Sequence, residues 1–364
     1  MKITRVETIP LTLPLVISGA TPMQGGRLRT SIDMLLVRVD TDAGITGWGE
    51  AFGMRIFAAV RAAIDTLLGP MCVGRDATQI AAINDEFQRA LHGIGRNGPV
   101  LYALSGIDIA LWDIAGKAAG LPLYRLLGGG ARADLPAYAS LLRYGAAAAV
   151  RHYTEQALSR GYRHIKLHEI TVPEVAVARE VAGAGVPIMV DTNCPWTVPQ
   201  AVEMARRLSP YDLTWLEEPV WPPENLAGLA EVRQRGGIPT AAGENYGTVW
   251  EFRRACEAGA ITYAQPSVTK IGGVTEMRRV MAVAETLGVQ VVPHSAYFGP
   301  GLLASIHCIA AMPGETLVER FYCDFAENPL GDSIDPRSGR IVVPQGPGLG
   351  VNPDPRLVDK LRVG

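Results

Sequence analysis

Apolar and polar residues alternate along the first part of the chain, and then the rhythm changes. Lys2 to Thr12 alternates, Met34 to Asp40 reads MLLVRVD, and Gly44 to Glu50 reads GITGWGE. Period-two alternation predicts strands, and Thr41-Asp42-Ala43-Gly44 supplies the turn between the last two. Ser18 to Thr30, rich in Gly, Thr and Pro, separates the first two strands as a loop long enough to act as a lid. Helical spacing follows. Phe57 to Leu68 is Ala-rich and amphipathic. Gly98 to Lys117 opens on Gly98-Pro99, carries an apolar stripe through Ala103, Ile107, Ala110, Leu111, Ile114 and Ala118, and stops at Gly120 and Pro122. The N-terminal part, 1–123, therefore reads as α+β.

Beyond it, short apolar runs alternate with Ala/Arg/Glu-rich helical stretches. Strands are predicted near 136–140, 163–168, 187–192, 213–217, 238–243, 261–265, 289–294 and 316–320. Helices are predicted near 145–160, 173–184, 198–208, 224–235, 248–258, 274–287 and 300–311. Strand then helix at this spacing predicts parallel βα units, and eight strands are the number of an α/β barrel, placed at 124–327. The tail, 328–364, is rich in Pro and Gly. It is expected to pack back on the N-terminal part without extending the barrel.

Composition narrows the function. A chain of 364 residues is long for one core, with 48% apolar and 19% charged residues, as in well-buried globular domains. The net charge of -2 offers neither a nucleic-acid surface nor a polybasic membrane patch. Cys72, Cys194, Cys256, Cys308 and Cys323 are scattered without a CxxC pair, so a disulfide framework is not expected and a reducing cytoplasm is. Met1-Lys2-Ile3-Thr4-Arg5-Val6-Glu7 lacks the apolar run of an export signal, and no window of about 18 uninterrupted apolar residues predicts a transmembrane helix.

Three predicted strands end in acids: Asp191 in VDTN, Glu217 in LEEP and Glu244 in GEN. Any one acid alone reads as a helix cap or half of a surface ion pair. In a barrel the C-terminal strand ends share one mouth, so the three converge. Carboxylates brought together repel unless a cation sits between them, and an all-oxygen donor set favours magnesium, with manganese as the other fit.

Bases accompany them. In RHIKLHE, alternation puts Ile165 and Leu167 on one face and Lys166 and His168 on the other, toward the barrel interior. A register read one residue off would reverse this. His294 ends the run VVPH; alone it reads as a cap or a core histidine. Lys270 lies in SVTKIGG just past a strand, as a solvated lysine or a substrate contact. Glu319 ends the last strand, either facing substrate or pairing with Arg320. Acids holding a divalent ion beside bases suit removal of the weakly acidic proton next to a carboxylate. The ion would stabilise the enediolate, and a base on either side would reach opposite faces of the substrate.

At these residues the sequence resembles the enolase superfamily, specifically the mandelate racemase/muconate lactonizing enzyme group, over essentially the whole chain. The helix ALSGIDIALWDIAGK (103–117) and the ordered run VDTN, LEEP, GEN, TKIGG and PHS carry the resemblance. It implies a modified TIM barrel, (β/α)7β, under an α+β cap built from the N-terminal part and the C-terminal tail. It implies Asp191, Glu217 and Glu244 as magnesium ligands and Lys166 as the first lysine of a K-x-K motif. It implies His168 at the position of the proton-abstracting lysine, His294 as the histidine of a His–Asp dyad, and Lys270 as an opposite base. Asn193 and Glu319 would contact substrate, and Ser18–Thr30 and the segment after Trp48 would be specificity lids. Two positions depart from the pattern: Lys-x-His replaces Lys-x-Lys, and Ser267 stands where the dyad aspartate would be.

The expectation is a lyase or isomerase acting on a small carboxylate, foremost the dehydration of an acid sugar or related hydroxy acid. Racemisation, epimerisation or cycloisomerisation of a carboxylate or amino-acid derivative is the alternative. A catalytically inactive barrel with a binding role is a further one. Self-association into a homo-oligomer is a family-level expectation.

Overall fold

The long alternating strands at the N-terminus pair as their pattern predicts. In the computed structural model, which describes residues 1–24, 27–130 and 132–364, β1 (Ile3–Val16) turns back through two short paired strands, β2 (Met23–Gln24) and β3 (Arg27–Leu28), into β4 (Ser31–Thr41). β4 pairs antiparallel with β1 on one side and with β5 (Thr46–Ala51) on the other. Gly25 and Gly26, at the centre of the lid loop expected over Ser18–Thr30, lie outside the described residues.

Helices cover this sheet. α1 (Phe57–Ala63) runs on into a π-helical turn, Ile64–Leu68, and then α2 (Gly69–Cys72), so the single helix expected over 57–68 changes winding midway. α3 (Ile80–Ala90) was not predicted. Its large apolar residues are few: Ile80, Ile83 and Phe87 are buried, together with the polar Asn84. α4 (Pro99–Ala119) is the expected long helix, ended by Gly120 at positive φ. β5 lies directly on it. A Cβ built on Gly49 would sit 1.9 Å from the carbonyl oxygen of Gly106, so only glycine allows this approach. By length and composition α4 is apolar enough to cross a membrane, but 72% of its apolar window is buried within the protein, as befits a core helix.

The second part repeats strand and helix. Its strands are β6 (Asp134–Ser140), β7 (Ile165–Leu167), β8 (Ile188–Asp191), β9 (Leu213–Glu217), β10 (Thr240–Ala242), β11 (Tyr263–Ala264), β12 (Gln290–Val291) and β13 (Val318–Phe321). They pair in parallel in the order β12-β11-β10-β9-β8-β7-β6-β13, with seven helices between them. This is the (β/α)7β arrangement. Thr316 Oγ1 donates to the Val291 carbonyl at 3.0 Å, bringing the β13 end of the sheet beside the β12 end.

Alternation sorts the side chains. Ile165, Val190 and Leu216 belong to the large apolar core that includes residues of the surrounding helices. Tyr138, Met189, Trp215, Ala241 and Val292 form a small separate core inside the barrel. Two residues further along their strands from Met189 and Trp215 come Asp191 and Glu217, which keep the same inward facing one layer nearer the mouth.

Buried acids fasten cap to barrel. Asp108 accepts from Asn84 Nδ2 at 2.9 Å and from the Thr275 amide at 3.0 Å. Asp113 accepts from the amides of Trp48 and Leu349 and from Lys117 Nζ. Glu50 accepts from the Gly301 amide at 2.9 Å. Burial pushes Asp108 and Glu50 each up to about 7.

The tail differs in one respect from its expected course. Past β14 (Asp324–Phe325), which pairs antiparallel with the end of β1, β15 (Arg340–Val342) adds an antiparallel strand to the start of β6, opposite Asp134–Pro136. Of the seven residues of β6, only Ala139 and Ser140 pair with β7, which leaves the start of the strand open to this partner. The last helix, α13 (Pro355–Leu361), reaches the cap, where the Val363 amide donates to the Pro10 carbonyl at 3.0 Å.

Candidate active site at the barrel mouth

Asp191, Glu217 and Glu244 meet. Each offers one carboxylate oxygen, and the three oxygens lie within 4.8 Å of one another. Asp191 and Glu217 end β8 and β9, and Glu244 follows β10 after Gly243, whose φ of 136° turns the chain. Each acid is separately braced. Asn193, itself at φ 54°, donates to Asp191 Oδ1 from its amide at 3.0 Å and from Nδ2 at 2.9 Å. Glu217 accepts from Trp215 Nε1 at 2.9 Å and Gln265 Nε2 at 2.8 Å. Glu244 accepts from Asn245 Nδ2 at 3.1 Å.

The bases are interleaved with the acids. Lys166 is fully buried, with Nζ 2.9 Å from Glu319, 3.0 Å from Glu217 and 3.4 Å from Asp191. Burial works against its charge, but Glu217 and Glu319 together outweigh it and hold the ammonium well above its ordinary value. His168 stands 3.2 Å from Asp191 through Nε2, and its Nδ1 contacts the Leu141 carbonyl. Burial lowers its pKa, Asp191 raises it, and the net direction is up. On the other side, His294 Nε2 lies 3.0 Å from Glu244, and its Nδ1 is 3.1 Å from Ser267 Oγ and 3.3 Å from the Tyr297 hydroxyl. Lys270 Nζ lies 3.2 Å from Asn245 Oδ1, 3.8 Å from Glu244, and 4.5 Å from the centre of the Phe52 ring.

Charge in the cluster is unevenly shared. Burial raises Glu217 to about 7, and Asp191 adds to the rise. Glu244 moves the other way: Lys270 and His294 overcome its burial. The cations present thus leave Glu217 incompletely compensated. A group of hard oxygen donors with surplus negative charge fits a divalent cation of the magnesium type.

Glu319 resolves the choice left open by the sequence. It faces the barrel, accepting from Ser140 Oγ at 2.7 Å and the Ser295 amide at 3.0 Å. Arg320 points the other way and pairs with Asp335 at 3.0 Å, so no Glu319–Arg320 pair forms. Both segments expected to be lids reach the site. Pro22, Met23 and Arg29 from the first, and Phe52 and Met54 from the second, line a cavity of about 310 Å³ with His168, Asn193, Glu244, Lys270, His294 and Glu319.

Sequence reasoning missed Arg143 and Arg29. Arg143 follows the end of β6 and donates to the carbonyls of His168 and Thr192 and to Asn193 Oδ1. Its place just past a strand end was a usable signal. Arg29 sits in a loop, where no periodicity points to anything.

The comparisons with known proteins agree with this fold. Residues 4–128 match the mandelate racemase/muconate lactonizing enzyme N-terminal domain, and residues 148–357 match the enolase C-terminal domain-like family. The chain belongs to the mandelate racemase/muconate lactonizing enzyme group of the enolase superfamily. Among its relatives is a 3,6-anhydro-alpha-L-galactonate cycloisomerase of Streptomyces coelicolor, 32% identical over 100% of both chains. Another is the D-galactarolactone cycloisomerase of Agrobacterium fabrum, 33% identical over 96% of both. A D-galactonate dehydratase of Ralstonia pickettii is 31% identical, covering 89% of this chain and 90% of its own. The solved structure of a racemase from Streptomyces coelicolor with bound magnesium superposes with a TM-score of 0.86 at 31% identity, over 99% of this chain and 100% of that one. The curated relatives are thus dehydratases and cycloisomerases of sugar acids, and the solved structure is named a racemase.

Proposed function

We propose that this protein is a magnesium-dependent enzyme that removes the α-proton of a sugar acid and then releases an oxygen from the β-carbon. The observation that carries the reading is the flanked triad: three carboxylate oxygens within 4.8 Å, with a histidine Nε2 within 3.2 Å of an outer acid on each side. In this reading Asp191, Glu217 and Glu244 hold the cation. When bound, it stabilises the negative charge that builds on the substrate carboxylate as the proton leaves.

The chain's own groups do the rest. His168, with Nδ1 against a backbone carbonyl, keeps Nε2 directed at the reacting carbon and takes the proton. Lys166, held as a cation, supports the developing enediolate from the barrel floor. Glu319, anchored by Ser140 and Ser295, accepts a hydrogen bond from a substrate hydroxyl or from its carboxyl group in the enolic form. His294 stands across the mouth from His168 and protonates the departing oxygen. Lys270 neutralises charge on the substrate, and Asn193 fixes Asp191.

The reaction foremost in this reading is dehydration, in which a β-hydroxyl leaves as water and a 2-keto acid results. The full-length similarity to two cycloisomerases favours a second form, in which the departing oxygen belongs to a ring and stays on the product. A cytoplasmic, self-associating enzyme is part of the same proposal.

The test is a set of aldonates, aldarates and their lactones incubated with magnesium in deuterium oxide. Exchange at the α-carbon together with a 2-keto or ring-opened product is expected. Magnesium is expected to raise the melting temperature of the wild type and not of Asp191→Asn. Absence of exchange with every acid, with no effect of magnesium on melting, would sink the reading.

A further inference from the structure

The cavity over the barrel mouth takes its floor from the strand ends, where acids stand among the bases His168, Lys270 and His294, and part of its roof from the cap. Glu244 and Glu319 belong to the strand ends below, while Arg29 enters from the cap. Arg29 is only 7% exposed. Its Nη2 donates to Met54 Sδ at 3.3 Å, a weak acceptor, and its guanidinium lies 5.8 Å from the centre of the Phe321 ring. Its Nη1 is buried without a hydrogen-bond partner among the described residues. Asp33 is close enough to act on it electrostatically, but gives its oxygens to Thr12 Oγ1 at 3.0 Å and the Arg55 amide at 3.4 Å. Burial lowers Arg29 to about 10, so it remains charged at neutral pH.

A buried guanidinium without an acid is strongly unfavourable unless something completes it. The buried Arg320 is completed, by Asp335 and by backbone carbonyls. Arg29 instead lines a ligand cavity with a guanidinium whose hydrogen bonding is incomplete. Arg143 lines the same cavity, and the hydrogen bonds it makes there go to carbonyl and amide oxygens, not to an acid. A planar fork of donors matches a carboxylate.

From this arrangement we infer that the substrate is a sugar acid with a second anionic group, a carboxylate, at the end remote from the reacting one, and that Arg29 binds it. The inference rests on the proposed function, which places the reacting carboxylate at the strand ends. Arg29 then acts as a specificity residue: it selects dicarboxylates over monocarboxylates of the same stereochemistry.

The experiment compares a six-carbon aldarate, the matched aldonate and the matched 6-phosphoaldonate with the magnesium-loaded protein. The aldarate is expected to exceed the aldonate in kcat/KM by about 100-fold. Arg29→Gln is expected to lower the aldarate value by about as much and to leave the aldonate within about 3-fold, with Arg29→Lys in between. Thermal protection by the aldarate over the aldonate, lost in Arg29→Gln, gives the same comparison without turnover. Equal use of aldarate and aldonate by the wild type, or equal losses for both in Arg29→Gln, overturns the assignment while leaving the proposed reaction intact. Preference for the phosphorylated acid overturns the carboxylate and leaves Arg29 as the anion contact. Absence of α-proton exchange with all three acids, together with equal thermal protection, overturns the assignment, and the proposed reaction falls with it only where magnesium also leaves the melting temperature unchanged.

Discussion

The two sides of the barrel mouth hold the same side chain in different surroundings. His168 and His294 each approach an outer acid of the triad through Nε2, at 3.2 Å and 3.0 Å. Behind His168 lies a backbone carbonyl, that of Leu141, which can only accept. Its Nδ1 must therefore carry a proton, and Nε2, which faces the Asp191 carboxylate, is the nitrogen left to exchange one. Behind His294 lie two hydroxyls, Ser267 and Tyr297, each able to donate or accept. They satisfy either tautomer. One side is thus built to present a fixed basic nitrogen, and the other to tolerate a change in protonation during the reaction. A base that starts every cycle in one form and an acid that must be recharged would be served by this difference.

The sharpest way to break that comparison is to remove each histidine. His168→Gln is expected to reduce kcat by about 10³-fold and to abolish exchange of the α-proton with solvent deuterium. His294→Gln is expected to lose product formation by about 10²-fold or more while retaining exchange, because the proton still leaves and returns on the His168 side. NMR of recovered substrate reads both. Loss of exchange in both variants to the same degree would mean that the two sides are not divided in this way.

A pH profile can sharpen the comparison only where the fold persists, and a third histidine bears on that limit. His307, buried on α12 (Pro300–Ala310), accepts from the Tyr124 amide through Nδ1 at 3.3 Å and stacks on the Tyr124 ring. Burial lowers it from 6.5 to about 4. Its folded value is depressed, so the neutral form is native. The stability it contributes is present above pH 6.5 and is lost as the unfolded chain takes up a proton between pH 6.5 and about 4. The shift corresponds to a loss of roughly 3 kcal/mol over that window. Urea unfolding at pH 7.5 and 4.5 should show it. His307→Phe should be less stable at neutral pH, since Tyr124 loses its acceptor, but should show a smaller fall toward pH 4.5. An unchanged pH slope in His307→Phe would clear His307 of this role.

The sequence made some of this legible, for reasons that differ by element. The inward pair Lys166 and His168 could be read because period-two alternation is a local rule, and Ile165 and Leu167 marked the opposite face. The convergence of Asp191, Glu217 and Glu244 could be read because parallel strands share one mouth, so strand-end position stands in for three-dimensional proximity. Helix α3 was missed because only Ile80, Ile83 and Phe87 mark its buried face with large apolar side chains, and the buried Asn84 interrupts them. The strand β15 was missed because its pairing with β6 depends on how many residues of β6 the neighbouring strand leaves unpaired, a tertiary fact. Arg29 was missed because a loop residue acquires meaning only from what faces it. The partner of Glu319 was undecided because Glu and Arg are adjacent in sequence, and only the register of β13 puts them on opposite faces.

The smallest expected effect tests the adaptable side directly. Ser267 stands where the resemblance calls for an aspartate, and its Oγ lies 3.1 Å from His294 Nδ1. Ser267→Ala leaves the Tyr297 hydroxyl at 3.3 Å as the remaining partner, so His294 keeps a hydrogen bond but loses one orienting contact. A loss of about 10-fold in kcat is expected, within the range of removing a group that orients a reacting histidine. Ser267→Asp should act differently. A carboxylate behind His294 stabilises the imidazolium, the form that donates a proton to the departing oxygen. The same charge should make His294 slower to give that proton up, and kcat at neutral pH should fall by a few-fold. If Ser267→Asp instead speeds α-proton exchange in the His168→Gln background, His294 has become a base. The adaptable side would then be a racemase-type side from which the carboxylate is missing, and the division between the two histidines would rest on that one residue.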